Sequence, residues 1–182
     1  LDVTKMPYTV VAKFRNNTMP VMLLPNMITT VAQKYNNAYI LVETNDTGQQ
    51  VSDIMHEELE YENLITTTIK GKKGQRATGF GVGRVQYGVK MSNQVKKTGC
   101  LILKEMVEGD KVILNDFDLV SEMSTFVSHK SSYAASEGYN DDLVSCMVLF
   151  CWLSTQSYFR DLVNTNIRKK LMEEKIKKLE EE

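Results

Sequence analysis

An α/β fold, strands flanked by helices, is the class this chain predicts, and three observations carry it. Tyr39-Ile40-Leu41-Val42 is a short unbroken apolar run between turn residues, the pattern of a strand buried on both faces of a sheet. Gln49 to Leu59 then carries Val51, Ile54, Met55 and Leu59 at helical spacing, and Leu64 to Ile69 returns as a strand. Such a strand, helix, strand unit implies parallel strands joined by a right-handed crossover. The alternation recurs downstream, where Ser92 opens a helix to about Glu108, Lys111 to Leu114 forms a short strand, and Phe117 to about His129 is helical. Finally, 182 residues of which 42% are hydrophobic suffice for one buried core, since domains mostly run ~100 to 150 residues.

The remaining elements follow from local chemistry. Tyr8 to Arg15 alternates loosely with β-branched residues and reads as a strand, closed by the turn residues Asn16-Asn17-Thr18 and Pro20. Pro25 suits the first turn of a helix that runs to about Tyr35, with Ile28, Val31, Ala32 and Tyr35 on one face, and Asn36-Asn37 ends it. Asn45-Asp46-Thr47-Gly48 is a turn after the apolar strand. Glycines at 71, 74, 79, 81, 83 and 88 exclude a long regular element there and point to a mobile loop or loose hairpin. Gly109 stops the helix that Ser92 begins, and Asn115-Asp116 caps the next. Leu143 to Leu153 is the most apolar helix, expected to run on through Ser154-Thr155-Gln156-Ser157. Asn166 to Glu182 reads as a separate charged helix with a thin stripe of Ile167, Leu171 and Leu179. Residues 1–162 are expected to form the domain, and 163–182 a charged tail.

Composition removes several classes. Cys100, Cys146 and Cys151 are an odd number with no CxxC pair, which argues against a disulfide framework and a structural zinc site and favours a reducing compartment. The longest apolar run falls short of the ~20 residues of a membrane span, and no secretory signal is legible, so an intracellular protein without a membrane partner is expected. No GxxxxGK[ST] occurs, and Gly79-Phe80-Gly81-Val82-Gly83 neither follows a clear strand nor opens a helix. His56 and His129 stand alone, and the Ser and Cys residues lack a convincing base.

Charge is segregated. From Asn63 to Lys104 lie nine basic residues, Lys70, Lys72, Lys73, Arg76, Arg84, Lys90, Lys96, Lys97 and Lys104, and no Asp or Glu, giving +9 there against −10 elsewhere. One face built for a polyanion, with nucleic acid the obvious candidate, accounts for this; a solvated Lys-rich loop is the other reading.

The carboxylates supply the chemistry. Asp141 and Asp142 stand side by side at the mouth of the Leu143 to Leu153 helix, where two like charges need hydrogen bonds or a cation. Either Asn140 or Asp141 caps the helix, or the pair holds a divalent metal. Glu43 ends the Tyr39 to Val42 strand, and ligands of open α/β sheets bind beyond such strand ends. Oxygen-only ligands from separate elements suit Mg²⁺ or Mn²⁺, and two such ions about 3.5–4 Å apart activate a water and stabilise the leaving oxygen of a phosphodiester.

Tyr133-Ala134-Ala135-Ser136-Glu137-Gly138-Tyr139-Asn140-Asp141-Asp142-Leu143-Val144, continued by Phe150 and Trp152-Leu153-Ser154-Thr155-Gln156, resembles the C-terminal nuclease domain of large terminases, the DNA-packaging motors of T-even-type tailed bacteriophages. Leu41-Val42-Glu43-Thr44-Asn45-Asp46-Thr47-Gly48 is similar to that family's acidic strand and turn. Val95-Lys96-Lys97-Thr98-Gly99-Cys100 through Lys111-Val112-Ile113 extends the likeness, which spans most of Leu24 to Leu162.

The resemblance implies a ribonuclease H-like mixed sheet flanked by helices, and a metal-dependent endonuclease that cuts concatemeric double-stranded DNA during packaging. It implies Glu43 and Asp142 as catalytic metal ligands with Asp141 as the cap, a one-residue shift exchanging the last two, and Mg²⁺ or Mn²⁺ as a two-ion cofactor. Lys70, Lys72, Lys73, Arg76, Arg84, Lys90, Lys96 and Lys97 would bind DNA. An ATPase domain upstream, the phage portal, the small terminase subunit and a site at the procapsid in the host cytoplasm follow from the same likeness. The family's first acid lies on a strand upstream of a glycine-containing turn and a second strand, whose end Leu1-Asp2-Val3-Thr4 resembles; Asp2 is a poor substitute because no glycine-rich turn follows it, so a chain lacking the first acid and its strand, and inactive and marginally stable by itself, is expected. A non-catalytic DNA-gripping module and another ribonuclease H-like nuclease, such as a junction resolvase, are the alternatives.

Overall fold

The computed structural model describes residues 1–68, 85–130, 132–164, 172 and 176. Its strands pair in short ladders pressed against helices. β1 (Tyr8–Thr9) lies parallel to β4 (Val112–Ile113), with Tyr8 opposite Val112, and Asp2 bridges back to Thr9. The extended residues expected from Tyr8 to Arg15 keep ladder bonds only as far as Val10, whose N–H donates to Ile113. Beyond it, Lys13 and Arg15 leave the ladder and reach acidic side chains instead.

α1 (Leu24–Lys34) carries Pro25 in its first turn and buries Pro25, Thr29 and Ala32, while Asn36 and Asn37 at positive φ end it, as the sequence predicts. The apolar strand then pairs in parallel at two points, Ile40 with Leu64 and Glu43 with Val89. Between those pairings α2 (Gly48–Asp53) runs into a single π-helical turn at Ile54–Glu58, so the helix expected to Leu59 is present in two pitches. β2 (Thr66–Thr68) and β3 (Val85–Tyr87) are the antiparallel arms that leave and rejoin the Glu43 strand. The glycine-rich segment expected to be a loose loop falls largely on 69–84, outside the described residues.

α3 (Asn93–Glu108) starts at Ser92, whose Oγ accepts the Val95 N–H at 3.3 Å, and stops at Gly109. α4 (Phe117–Thr125) starts at Asp116, whose carboxylate accepts the Leu119 N–H at 2.9 Å. The helix expected to reach His129 ends four residues sooner, because Phe126–His129 forms β5 and pairs antiparallel with β6 (Ser132–Ala135). Aromatic and β-branched residues favour such cross-strand packing, and the Phe126 and Tyr133 rings stack at 6.2 Å.

α5 (Asp142–Ser154) buries Val144, Met147, Val148, Leu149, Phe150, Cys151 and Leu153, which lie on all sides of the helix. A helix apolar all round must be enclosed, and each such side chain contributes ~1.5–3 kcal/mol of burial. Leu103 and Met106 of α3, Leu119 of α4, Val112 of β4 and Phe159 enclose it. The helix does not continue to Ser157: Ser154 and Thr155 turn their hydroxyls back onto Cys151 and Trp152 carbonyls, and a new helix occupies 157–164. A smaller core of Ala32, Val51, Met55, Tyr61 and Leu64 lies under α1 and α2. No helix among the described residues is long and apolar enough to cross a membrane. The helix expected from Asn166 to Glu182 lies outside the described residues save for Met172 and Ile176, both exposed.

Candidate active site

Glu43 closes the parallel strand at its C-terminal end, where Val89 donates to Val42 and accepts from Thr44. The chain then turns so tightly that a Cβ on Gly48 would meet the Glu43 carbonyl oxygen at 1.7 Å, so only glycine lets α2 begin there. The Glu43 side chain is half-buried, and its Oε1 accepts from Asn45 Nδ2 at 2.9 Å. Burial raises the pKa of the Glu43 carboxyl above the ordinary value; Lys96 opposes the shift, and the nearby charges of Asp141 and Asp46 add to it.

Lys96 sits in the first turns of α3, where the Ser92 cap holds it beside α5. Its Nζ lies 3.5 Å from Asp141 Oδ2 and 5.6 Å from the centre of the Phe126 ring. Lys96 therefore pairs with Asp141, and its charge reaches Glu43 without a direct ion pair. The sequence placed Lys96 on a DNA-binding face; the structure sets it among the acids.

Asp141 and Asp142 part company at the mouth of α5. Asp141 occupies the N-cap position, yet its side chain makes no capping hydrogen bond, which corrects its expected role as the cap. Glu122, reaching across from α4, supplies the cap: its Oε2 accepts the Leu143 N–H at 2.8 Å and the Val144 N–H at 3.3 Å. Capping rules consider only residues adjacent in sequence, and Glu122 is 21 positions from Leu143. Asp142 is 69% exposed and turns to Arg15, whose guanidinium lies 3.3 Å from it and 3.3 Å from Glu122.

One turn into α5 stands Cys146. Desolvation first, then the carboxylates of Glu43, Asp142 and Glu122, raise its thiol above the ordinary range. At this helix mouth Asp141 pairs with Lys96, while Arg15 bridges Asp142 and Glu122. Sequence reasoning missed Glu122, Arg15 and Cys146. Glu122 left one legible signal, a carboxylate three residues after the buried Leu119, on the inward face of α4.

Lys90 and Lys97 are exposed, and Lys90 directly follows the residue paired with Glu43. Lys70, Lys72, Lys73, Arg76 and Arg84 lie outside the described residues. Asp2 is turned inward on its own loop, accepting from the Thr4 N–H and hydroxyl.

Among the described residues, no three His, Cys, Asp or Glu side chains are grouped to hold a metal by themselves. Two oxygen donors, Glu43 and Asp141, nevertheless suit an ion of the magnesium class, which binds through one or two carboxylates and completes its shell with water and substrate phosphate. A family model described as Terminase RNaseH-like domain matches residues 1–178, almost the whole length, and the chain belongs to that family.

Proposed function

We propose that this chain is the metal-dependent endonuclease module of a large terminase of T-even-type tailed bacteriophages, cutting concatemeric double-stranded DNA during genome packaging. Membership of the terminase ribonuclease H-like family makes it a nuclease-type module with DNA and packaging machinery as its general partners. The observation that carries the finer reading is the Lys96–Asp141 pair at the mouth of α5, with Asp142 on the adjoining position and the strand-end Glu43 near enough to feel both charges.

Glu43 and Asp141 would hold Mg²⁺ or Mn²⁺, with Asp142 joining once it releases Arg15. The bound ion supplies an activated water and neutralises charge on the departing oxygen. Lys96, paired with Asp141, would set a positive charge where a scissile phosphate must enter. Lys90, Lys97 and the basic segment 70–84 would grip the backbone without reading sequence. The phage portal, the small subunit, an ATPase domain of the same polypeptide and a place at the procapsid in the host cytoplasm belong to this proposal.

Mn²⁺-dependent relaxation of supercoiled plasmid by the intact polypeptide, including the family's first acidic strand, tests it. Glu43→Gln and Asp142→Asn should each reduce cleavage by at least ~100-fold with an unchanged circular dichroism spectrum. Undiminished cleavage by both variants overturns the assignment. The absence of a three-acid group among the described residues favours a second reading, a DNA-gripping module without chemistry. That reading requires wild-type protein that binds DNA in Mn²⁺ and leaves it uncut.

A further inference from the structure

We propose that Glu122 is the positioning residue of this site, a cap supplied from another helix that frees both members of the tandem acid pair for a cation. The inference rests on the metal-binding reading above and extends it to a residue outside the acid motif.

A carboxylate at the mouth of a helix ordinarily folds back onto the amides of the second and third helical residues, which have no partner in the helix. For α5 those amides belong to Leu143 and Val144, and Asp141 is the residue placed to take them. Glu122 Oε2 holds both. With its amides occupied, the helix makes no claim on Asp141, whose Oδ2 meets Lys96, or on Asp142, whose Oδ2 meets Arg15. The cap therefore decides where the two adjacent carboxylates point.

Glu122 is itself fixed. Its side chain is only 9% exposed, and a charge so placed is tolerable because two N–H groups, the positive end of α5 and the Arg15 guanidinium surround it. Arg15 spans Glu122 and Asp142, so the same buried acid anchors the cation that holds Asp142. A cation arriving at Asp142 would leave Arg15 with Glu122 as its partner.

Outer partners that orient metal ligands typically alter affinity ~10–100-fold when removed. The test titrates Mn²⁺ into the full 182-residue chain by electron paramagnetic resonance and, without metal, measures hydrogen exchange at the Leu143 and Val144 amides. Glu122→Ala should weaken Mn²⁺ ~10–100-fold and remove protection from both amides. Glu122→Gln keeps an oxygen of similar shape without the charge and should fall between. Leu153→Ala, a core truncation at the far end of α5, should lower stability and leave Mn²⁺ affinity unchanged. If Glu122→Ala does not fold, Glu122→Gln decides alone.

Wild-type Mn²⁺ affinity in the Glu122 variants, together with its loss in Glu43→Gln, overturns the proposal and leaves the metal site standing. A wild-type chain whose Mn²⁺ binding is absent or indifferent to Glu43→Gln overturns the metal-binding reading, and this inference with it.

Discussion

Gly99 on α3 lies against the backbone of Val148 on α5, so closely that a Cβ at position 99 would stand 2.2 Å from the Val148 carbonyl oxygen. This contact sets the spacing of the two helices that carry Lys96 and the Asp141-Asp142 pair. The obstacle is backbone, which cannot swing aside as a flexible side chain can. Gly99→Ala should cost ~1–3 kcal/mol by overpacking, or a fall of roughly 2–12 °C in Tm for a domain of this size. A melt at wild-type temperature would show that the helices separate at no cost.

Glu43 predicts a pH dependence whose sign follows from its raised pKa. A carboxyl that holds its proton more tightly when folded adds stability below its ordinary value of 4.5, and that stability is lost as pH rises through the folded value. Glu43→Gln should therefore raise the Tm of the metal-free protein at pH 7, with the advantage gone once pH falls below 4.5. Differential scanning calorimetry at the two pH values checks this, and a lower Tm at pH 7 contradicts it.

Cys146 offers a reporter of the neighbouring carboxylates. Cys151 is buried and its thiol is pushed up to about 12, Cys100 is half-buried, and Cys146 is exposed, so iodoacetamide should modify Cys146 first. Although its side chain is open to solvent, the protein packed around it desolvates the thiolate and the neighbouring carboxylates add to this, so the thiol stays protonated and slow. Glu43→Gln or Asp142→Asn should hasten alkylation near pH 8, and Mn²⁺ should do the same in the wild type if the ion binds beside the thiol. Mass spectrometry of the labelled peptide gives the rate; rates insensitive to all three would place Cys146 beyond the reach of these carboxylates.

Backbone gripping by the basic segment predicts a salt signature. Each phosphate contact contributes ~0.9 to the slope of log affinity against log salt. Replacing Lys70, Lys72 and Lys73 together by Ala should reduce that slope by up to ~2.7 while leaving sequence preference flat. An unchanged slope in a filter-binding titration would remove these lysines from the interface.

Much of the architecture was written locally. The Ser92 start and Gly109 stop of α3, Pro25 in α1, the Asp116 cap and the all-round apolarity of α5 depend on residues within a turn or two of one another, so periodicity and capping chemistry suffice to find them. The ends of α4 and α5 were not legible in the same way. Phe126–His129 becomes strand because Ser132–Ala135 returns beside it, and a partner on the far side of a turn is not visible in the periodicity of α4.

For the site, local pattern was enough to find which acids stand at a strand end and at a helix mouth, Glu43, Asp141 and Asp142. What each of them touches came from the packing of distant elements. Lys96 lies 45 residues from Asp141, Arg15 lies 127 from Asp142, and Glu122 lies 21 from the amide it caps. Helical and strand periods extend over neighbours a few residues apart, whereas charge pairing acts through space between elements that packing alone brings together. The burial of α5 against α3 and α4 therefore assigned the cap to Glu122 and parted the adjacent aspartates.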